Sequence, residues 1–114
     1  PETSAQKVLH VKILEKGTGP TVTAGRELEA NYHGQIWDGE VFASSFQRGV
    51  PATFPIGVGA VIAGWDQGIV GKNVGSRLLI SIPPEKGYGP AGQPAAGIGG
   101  TDTLVFVVDL VGVR

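Results

Sequence analysis

Most of the chain alternates apolar and polar residues with the two-residue period of a half-buried β-strand. The alternation is clearest in 27–35, where Leu28, Ala30 and Tyr32 fall on one face and polar residues on the other. The nearly continuous apolar run 104–113 instead predicts a central strand that is buried on both faces. By the same criteria we predict strands over 8–14, at the start of 41–50, over 53–56 and over 77–82.

One stretch, 57–71, has the spacing of a short amphipathic helix. Its apolar residues Val61, Ile62, Trp65 and Ile69 fall at i, i+1, i+4 and i+8, which is one face of a helix. Trp65 is the largest apolar side chain on that face. We therefore expect it to lie between the helix and the sheet.

The other residues of this stretch set the limits of the helix. Asp66 and Gln67 are expected on the solvent side, and Gly71 is expected just past the C-terminus. Gly64 and Gly68 should each cost roughly 1 kcal/mol relative to alanine, and a helix this short is marginal alone in water. We therefore predict that packing against the strands holds the helix, in an antiparallel α+β fold.

Turn and loop sequences separate the predicted elements. Residues 37–40 contain an Asp-Gly pair that is favoured in hairpins, so we expect an exposed turn there. Residues 83–100 form a long proline- and glycine-rich segment, and loops of this length are often functional. Residues 1–6 are polar and are expected to be a frayed terminus or linker. The length of 114 residues predicts a single domain over 1–114.

The composition excludes several kinds of partner. The formal net charge is -1 and the charged fraction is 17%, so no basic stripe is present for nucleic acid. No apolar run is long enough to span a membrane. The chain has no cysteine and only two histidines, far apart in sequence, so we expect no disulfide and no metal site. We expect no cofactor.

Conventional catalytic motifs are incomplete in this chain. A dinucleotide loop would need glycine at the position of Ile62, and a phosphate loop would need serine or threonine at the position of Asn73. Ser76 lacks the second glycine of a nucleophile elbow. Asp102 and Asp109 could act as paired carboxylates only if the fold brought them together. These failures disfavour acid–base and nucleophilic catalysis.

What remains is a set of aromatic side chains spread over several predicted elements. Aromatic residues in a small domain usually belong to the core. The alternative is that some of them line a dry, concave pocket. Tyr88 favours the pocket, because it lies in a glycine-rich loop where a core residue is not expected. The six residues are Tyr32, Phe42, Phe54, Trp65, Tyr88 and Phe106.

Several motifs together resemble the signature of the FKBP-type peptidyl-prolyl cis-trans isomerase family. The most specific is Val61-Ile62-Ala63-Gly64-Trp65-Asp66-Gln67-Gly68, and it is followed in order by Val74-Gly75 and Gly87-Tyr88-Gly89. The segments 39–42, 44–45 and 103–106 agree in order and spacing. The resemblance covers nearly the whole chain, over residues 8–113.

The resemblance implies an antiparallel sheet of five or six strands curled around one short helix. It also implies cis/trans isomerisation of the peptide bond before proline, which assists protein folding. Trp65 would be the floor under the proline ring, and the Ile62 N–H and the Tyr88 hydroxyl would donate to substrate carbonyls. The implied catalytic residues are Tyr32, Phe42, Trp65, Tyr88 and Phe106, and the implied substrate-binding residues are Phe54, Val61, Ile62 and Ile98.

The chain departs from the family pattern at the rim of the implied pocket. Ala43 stands where the family typically has an aspartate that accepts a hydrogen bond, and Ala52 stands where it often has a bulky residue. The order of residues 31–33 and the glycine-rich segment 95–102 also differ. We therefore expect macrolide inhibitors such as tacrolimus and rapamycin to bind with reduced affinity.

The implied partners are proline-containing polypeptides, bound by a monomer. A different class of function is also open: a proline-binding or chaperone module with little catalysis. An isomerisation assay on a Xaa-Pro peptide distinguishes the two. The chain begins at Pro1 instead of methionine, and its polar start favours an exported or cell-envelope domain.

Overall fold

The structure of the protein, a computed structural model, describes residues 9–37, 41–44, 51–89, 92–93, 97–100 and 102–114. For residues 41–44 it describes the backbone alone. The predicted terminus 1–6, most of the predicted 37–40 turn and the loop predicted within 41–50 lie outside the described residues. The described elements are β1 (His10–Glu15), β2 (Glu27–Ile36), β3 (Val41–Ser44), β4 (Ala52–Pro55), α1 (Ala63–Ile69), β5 (Arg77–Ile82), a 3-10 turn (Pro84–Lys86) and β6 (Leu104–Val113).

The strands form one antiparallel sheet in the order β1-β5-β6-β2-β3. The short strand β4 pairs with residues 27–30 of β2, and β3 pairs with residues 33–35 of the same strand. Both short strands therefore lie along one edge of β2, while β6 occupies its other edge. The predicted α+β class and antiparallel sheet are confirmed.

Alternate residues of the central strands point to one face and form the core with the helix. Leu78, Ile80 and Ile82 of β5 are fully buried, and the β6 residues Leu104, Phe106, Val108 and Leu110 are nearly so. The prediction that 104–113 is buried on both faces is wrong. Val105 and Val107 are half-buried and Val111 is 44% exposed, because the described helix covers only one face of this sheet.

The helix α1 is shorter than the apolar spacing suggests. Ile62 is its N-cap, with no side chain capping it, so Val61 and Ile62 precede the helix instead of lying on its face. The chain leaves the helix through Val70 and then Gly71, whose φ of 94° is the left-handed conformation typical of this position. The Gly71 N–H donates to the Val22 carbonyl, which ties the end of the helix to the segment before β2. No helix in the described ranges is long and apolar enough to cross a membrane.

Two glycines let the helix backbone lie directly on the sheet. A Cβ atom at Gly64 would come within 2.7 Å of the Ile82 side chain, and one at Gly68 would be 3.0 Å from Val11. Glycine lowers helix propensity at these two positions, but it allows the close packing of the helix on the sheet that a larger residue would prevent. Trp65, the neighbour of Gly64, is held against the core by this approach.

The long segment after β5 contains more local structure than its composition suggests. The 3-10 turn Pro84–Lys86 opens it, and a bridge joins Gln93 to Ile98. Asp102 accepts a hydrogen bond of 2.6 Å from the Gly99 N–H. Ile98 is 3% exposed and belongs to the core cluster. This part of the segment is therefore anchored to the body of the fold.

Candidate functional site

A cluster of aromatic rings centres on Trp65, which is 6% exposed. The ring centroids of Tyr32, Phe106 and Phe54 lie 5.2, 5.1 and 5.3 Å from that of Trp65. Tyr32 and Phe106 meet the indole nearly at right angles, at 75° and 83°, and Phe54 is tilted by 45°. These are the favoured geometries for aromatic pairs. We call Tyr32, Phe54, Trp65 and Phe106 the aromatic cluster.

Each ring of the cluster comes from a different element. Tyr32 is on β2, Phe54 on β4 and Phe106 on β6, all on the face that carries the core, and Trp65 is on α1. Gly34 is paired with Phe106 and contributes no side chain to this face. The row of side chains is therefore interrupted beside Phe106. The sheet therefore supplies three of the four rings, and the helix supplies the fourth.

The indole N–H of Trp65 is buried and has no hydrogen-bond acceptor among the described residues. A buried donor without a partner costs about 1–3 kcal/mol. Contact with an aromatic ring offers only a weak substitute for a conventional hydrogen bond. Among the described residues, Trp65 therefore contributes an apolar ring surface and makes no use of its one polar atom.

Ile62 and Val61 flank the cluster from the segment that leads into the helix. Both are half-buried and pack against the core. The Ile62 carbonyl accepts hydrogen bonds from the N–H groups of Trp65 and Asp66, at 3.0 and 3.3 Å. In the part of the chain that the structure describes, the Ile62 N–H donates to no acceptor. It remains available as a donor beside the aromatic cluster.

Tyr88 lies at the edge of the site, with 37% of its surface exposed. The N–H groups of its two neighbours, Gly87 and Gly89, both donate to the Pro84 carbonyl, at 3.0 and 2.8 Å, and this fixes its backbone. Burial, and second the nearby Tyr32, raise the pKa of Tyr88 above its ordinary value. The hydroxyl therefore stays protonated near neutral pH and can donate a hydrogen bond.

The structure brings together most of the residues that the sequence proposed. Trp65 is buried between helix and sheet as predicted, and Tyr32, Phe54 and Phe106 surround it. The side chains of Phe42 and Ala43 lie outside the described residues. Ala52 is half-buried at the start of β4, opposite Ala30. The structure places the remaining predicted residues beside the cluster, at its edge or in the core: Val61 and Ile62, Tyr88, and Ile98.

Two positions that were expected to face solvent differ from what the sequence predicts. Trp37 is half-buried instead of exposed, and its backbone N–H donates to the Thr103 carbonyl just before β6. Asp66 does not face solvent freely, since its carboxylate binds the N–H groups of Gly57 and Gly59. The local signal for this contact is an acidic residue in the first helical turn after a glycine-rich loop.

The two aspartates considered as a catalytic pair have separate partners. Asp109 makes a two-point ion pair with Arg77, at 2.7 and 2.8 Å, and Asp102 binds the Gly99 N–H. Six residues lie between them, and the seven steps along the nearly extended chain span roughly 23 Å. They do not form a carboxylate pair. Within the described ranges, no group of three or more histidine, aspartate or glutamate side chains could hold a metal ion.

Comparison with known proteins gives a consistent result. A family model described as FKBP-type peptidyl-prolyl cis-trans isomerase matches residues 19–111. The FK506-binding protein of Streptomyces anulatus is 42% identical over 106 residues, which are 92% of this chain and 86% of that protein. The crystal structure of AtFKBP13 has a TM-score of 0.85 and 36% identity, and it covers 95% of this chain and 98% of its own.

Other relatives are longer than this chain. Peptidyl-prolyl cis-trans isomerase FKBP15-1 of Arabidopsis thaliana is 46% identical over 90 residues, which are 79% of this chain and 58% of that protein. Peptidyl-prolyl cis-trans isomerase Mip of Coxiella burnetii is 39% identical over 106 residues, 93% of this chain and 45% of that protein. The chain thus spans about half the length of these two relatives.

Proposed function

The chain belongs to the FKBP-type peptidyl-prolyl cis-trans isomerase family, and from this premise we propose that its aromatic cluster binds proline and catalyses rotation about the preceding peptide bond. The observation that carries the proposal is the environment of Trp65. A buried indole is enclosed by three rings from three strands. Beside it lie the Tyr88 hydroxyl and the Ile62 N–H, which has no acceptor among the described residues.

The reaction needs neither a nucleophile nor an acid–base pair. The barrier to rotation is about 18–20 kcal/mol because the C–N bond has partial double-bond character. Uncatalysed exchange at Xaa-Pro takes tens to hundreds of seconds. No bond is made or broken, so a protein can accelerate the step by binding the twisted amide more tightly than the planar one. The absence of a carboxylate pair from the described site is compatible with this chemistry.

The aromatic cluster favours the twisted amide because it excludes water from the bound peptide bond. The planar amide is the more charge-separated form, and water stabilises it. Rings that exclude water withdraw this stabilisation, so the planar form loses more than the twisted form. In the proposed complex the proline ring lies on Trp65, the Ile62 N–H and the Tyr88 hydroxyl donate to the substrate carbonyls, and Tyr32, Phe42 and Phe106 line the wall.

The proposed substrates are proline-containing polypeptides, and one copy of the chain is enough to bind them. All the rings of the described cluster come from a single chain. We propose that the active form is a monomer in which residues 1–114 act as one domain. Binding depends on apolar contact and two hydrogen bonds, so we expect selectivity for proline itself and limited selectivity for its neighbours.

A protease-free isomerisation assay on a Xaa-Pro peptide tests the proposal. We expect the wild-type protein to accelerate cis/trans exchange in proportion to its concentration. The variant Arg77→Ala, which alters the far face of the sheet, should be equally active and serves as the control. A protein that binds the peptide in calorimetry without accelerating exchange would be a proline-binding module instead.

Removal of the Tyr88 hydroxyl should weaken ligand binding without weakening the fold. Tyr88→Phe keeps the ring and deletes one hydrogen bond, whose net contribution is about 0.5–1.5 kcal/mol. We expect the Kd for a prolyl peptide to rise several-fold and the thermal midpoint to change little, because Tyr88 is partly exposed. Calorimetric titration and thermal unfolding measure the two effects. A large loss of thermal stability would instead assign Tyr88 to the core.

The absence of an aspartate at position 43 should weaken macrolide binding. We propose that tacrolimus and rapamycin bind this protein, with reduced affinity. Hydrogen bonds to charged groups are worth about 1.5–3 kcal/mol, so Ala43→Asp should tighten macrolide binding by roughly one to two powers of ten. Peptide turnover should change only modestly, because short prolyl peptides lack the macrolide hydroxyl. Equal macrolide affinities in calorimetry would show that position 43 does not face the ligand.

A further inference from the structure

The carboxylate of Asp66 ties the helix to the loop that precedes it. Its Oδ1 accepts a hydrogen bond of 2.7 Å from the Gly57 N–H, and its Oδ2 accepts one of 2.9 Å from the Gly59 N–H. Both glycines have left-handed φ, 81° and 79°. Each carboxylate oxygen therefore fixes one of the two sharp bends in this loop. Asp66 is the immediate neighbour of Trp65 on α1.

The loop has few other attachments in the described part of the chain. Across residues 57–61, the hydrogen bonds described are the two to Asp66, and the backbone groups of Val58, Ala60 and Val61 make none with other described residues. Val58 is 58% exposed between the two anchored glycines. The start of the loop also packs closely on Ala24, since a Cβ atom at Gly57 would lie 2.7 Å from the Ala24 Cβ. After Gly57, the hydrogen bond that the structure describes between this loop and the rest of the protein is the one from the Gly59 N–H to Asp66.

The loop ends at the two residues that flank the aromatic cluster. Ile62 follows Val61 directly and carries the N–H that the proposed function uses as a donor, with no side chain capping the helix there. A loop held at Gly59 by the helix itself places this N–H at a constant position relative to Trp65. A free loop would have to be ordered again at each binding event, which costs conformational entropy.

We propose that Asp66 is a positioning residue for the isomerase site, which holds loop 57–61 so that the Ile62 N–H meets the substrate carbonyl. The inference rests on the proposed function. It assigns no contact between Asp66 and the substrate. Its effect passes through Gly57, Gly59 and the backbone that leads from them to Ile62.

Amide hydrogen exchange and kinetics on the same variants test the inference. Asp66→Asn preserves shape but replaces one acceptor oxygen by an amide nitrogen that cannot accept, and Asp66→Ala removes both acceptors. Gln67→Ala is the matched control, because Gln67 is the next residue on the helix and is exposed. Gly71, just past the other end of the helix, donates its N–H to the Val22 carbonyl and is the internal reference for the attachment of the helix to the rest of the fold.

We expect Asp66→Asn to speed exchange at the glycine that faces the new amide nitrogen, Asp66→Ala to speed exchange at both Gly57 and Gly59, and both variants to leave Gly71 unchanged. Since hydrogen bonds to charged groups are stronger than those between neutral groups, kcat/KM on a Xaa-Pro peptide should fall by about tenfold in Asp66→Asn and further in Asp66→Ala. Gln67→Ala should match the wild type in both measurements.

Two results would overturn the positioning role while leaving the isomerase assignment intact. One is faster exchange at Gly57 and Gly59 with kcat/KM equal to that of Gln67→Ala. The other is faster exchange at Gly71 as well, together with a lowered thermal midpoint, which would make Asp66 a residue of general stability. A wild-type protein that accelerates no Xaa-Pro exchange would instead overturn the proposed function and this inference with it.

Discussion

Trp65→Ala is expected to lower the free energy of unfolding by about 3–5 kcal/mol, the usual cost of truncating a buried tryptophan. Trp65 is 6% exposed and contacts the three other rings of the cluster. Its removal therefore leaves a cavity between the helix and the strands that carry those rings. Total stabilities of natural domains are about 5–15 kcal/mol. This single change therefore removes a large part of the stability and the proposed floor of the site.

Urea unfolding followed by circular dichroism measures the loss, and Trp37→Ala is the matched control. Trp37 is half-buried outside the aromatic cluster, so we expect a smaller loss and full isomerase activity in that variant. Trp65→Phe separates function from folding, because it keeps an aromatic ring and deletes the indole N–H, which has no acceptor among the described residues. It should retain most of the stability and lose isomerase activity. Full activity in Trp65→Phe would show that the indole surface is not required.

Gly64→Ala should destabilise the protein although alanine favours helices. The added Cβ atom would lie 2.7 Å from two atoms of the Ile82 side chain, which is fully buried and branched at Cβ. Overpacking of this kind costs about 1–3 kcal/mol, and it exceeds the roughly 1 kcal/mol gained in helix propensity. The helix must move away from the sheet, and it carries Trp65 with it. Isomerase activity should fall with stability.

Gly68→Ala is the natural comparison, since it adds the same methyl group one turn later. There the nearest atom is the Val11 Cγ2 at 3.0 Å and the next are at 3.7 Å. A shift of a few tenths of an ångström relieves the contact, so we expect a nearly unchanged unfolding midpoint. Denaturant titration of both variants decides the point. Equal stabilities would mean that the helix does not depend on close approach at Gly64.

The strands and the placement of Trp65 could be predicted from the sequence because both follow from periodicity. Residues 27–35 and 77–82 alternate with period two, and both lie in strands with one buried face. The prediction that the run 104–113 is buried on both faces is wrong, because valine is favoured in strands whether or not its face is covered. Its outer face is half-exposed because no described helix packs there. Burial of that face depends on the layers of the fold, which composition does not encode.

The start of the helix and the role of Asp66 could not be derived from apolar spacing. Val61 and Ile62 fit a helical face but precede the helix, because the chain bends at Gly57 and Gly59 first. Helical spacing places Asp66 opposite the apolar face and so predicts that it faces solvent. Its partners are backbone N–H groups of the preceding loop, and such local contacts depend on loop geometry.

The most direct test of the proposed site is the emission of Trp65 during a titration with a prolyl peptide. Trp37→Phe leaves Trp65 as the sole tryptophan, because the chain has two. If proline lies on the indole, the emission should change saturably, with a midpoint equal to the Kd from calorimetry. A peptide that is bound and isomerised by this variant with no change in emission would contradict the account and place the site away from Trp65.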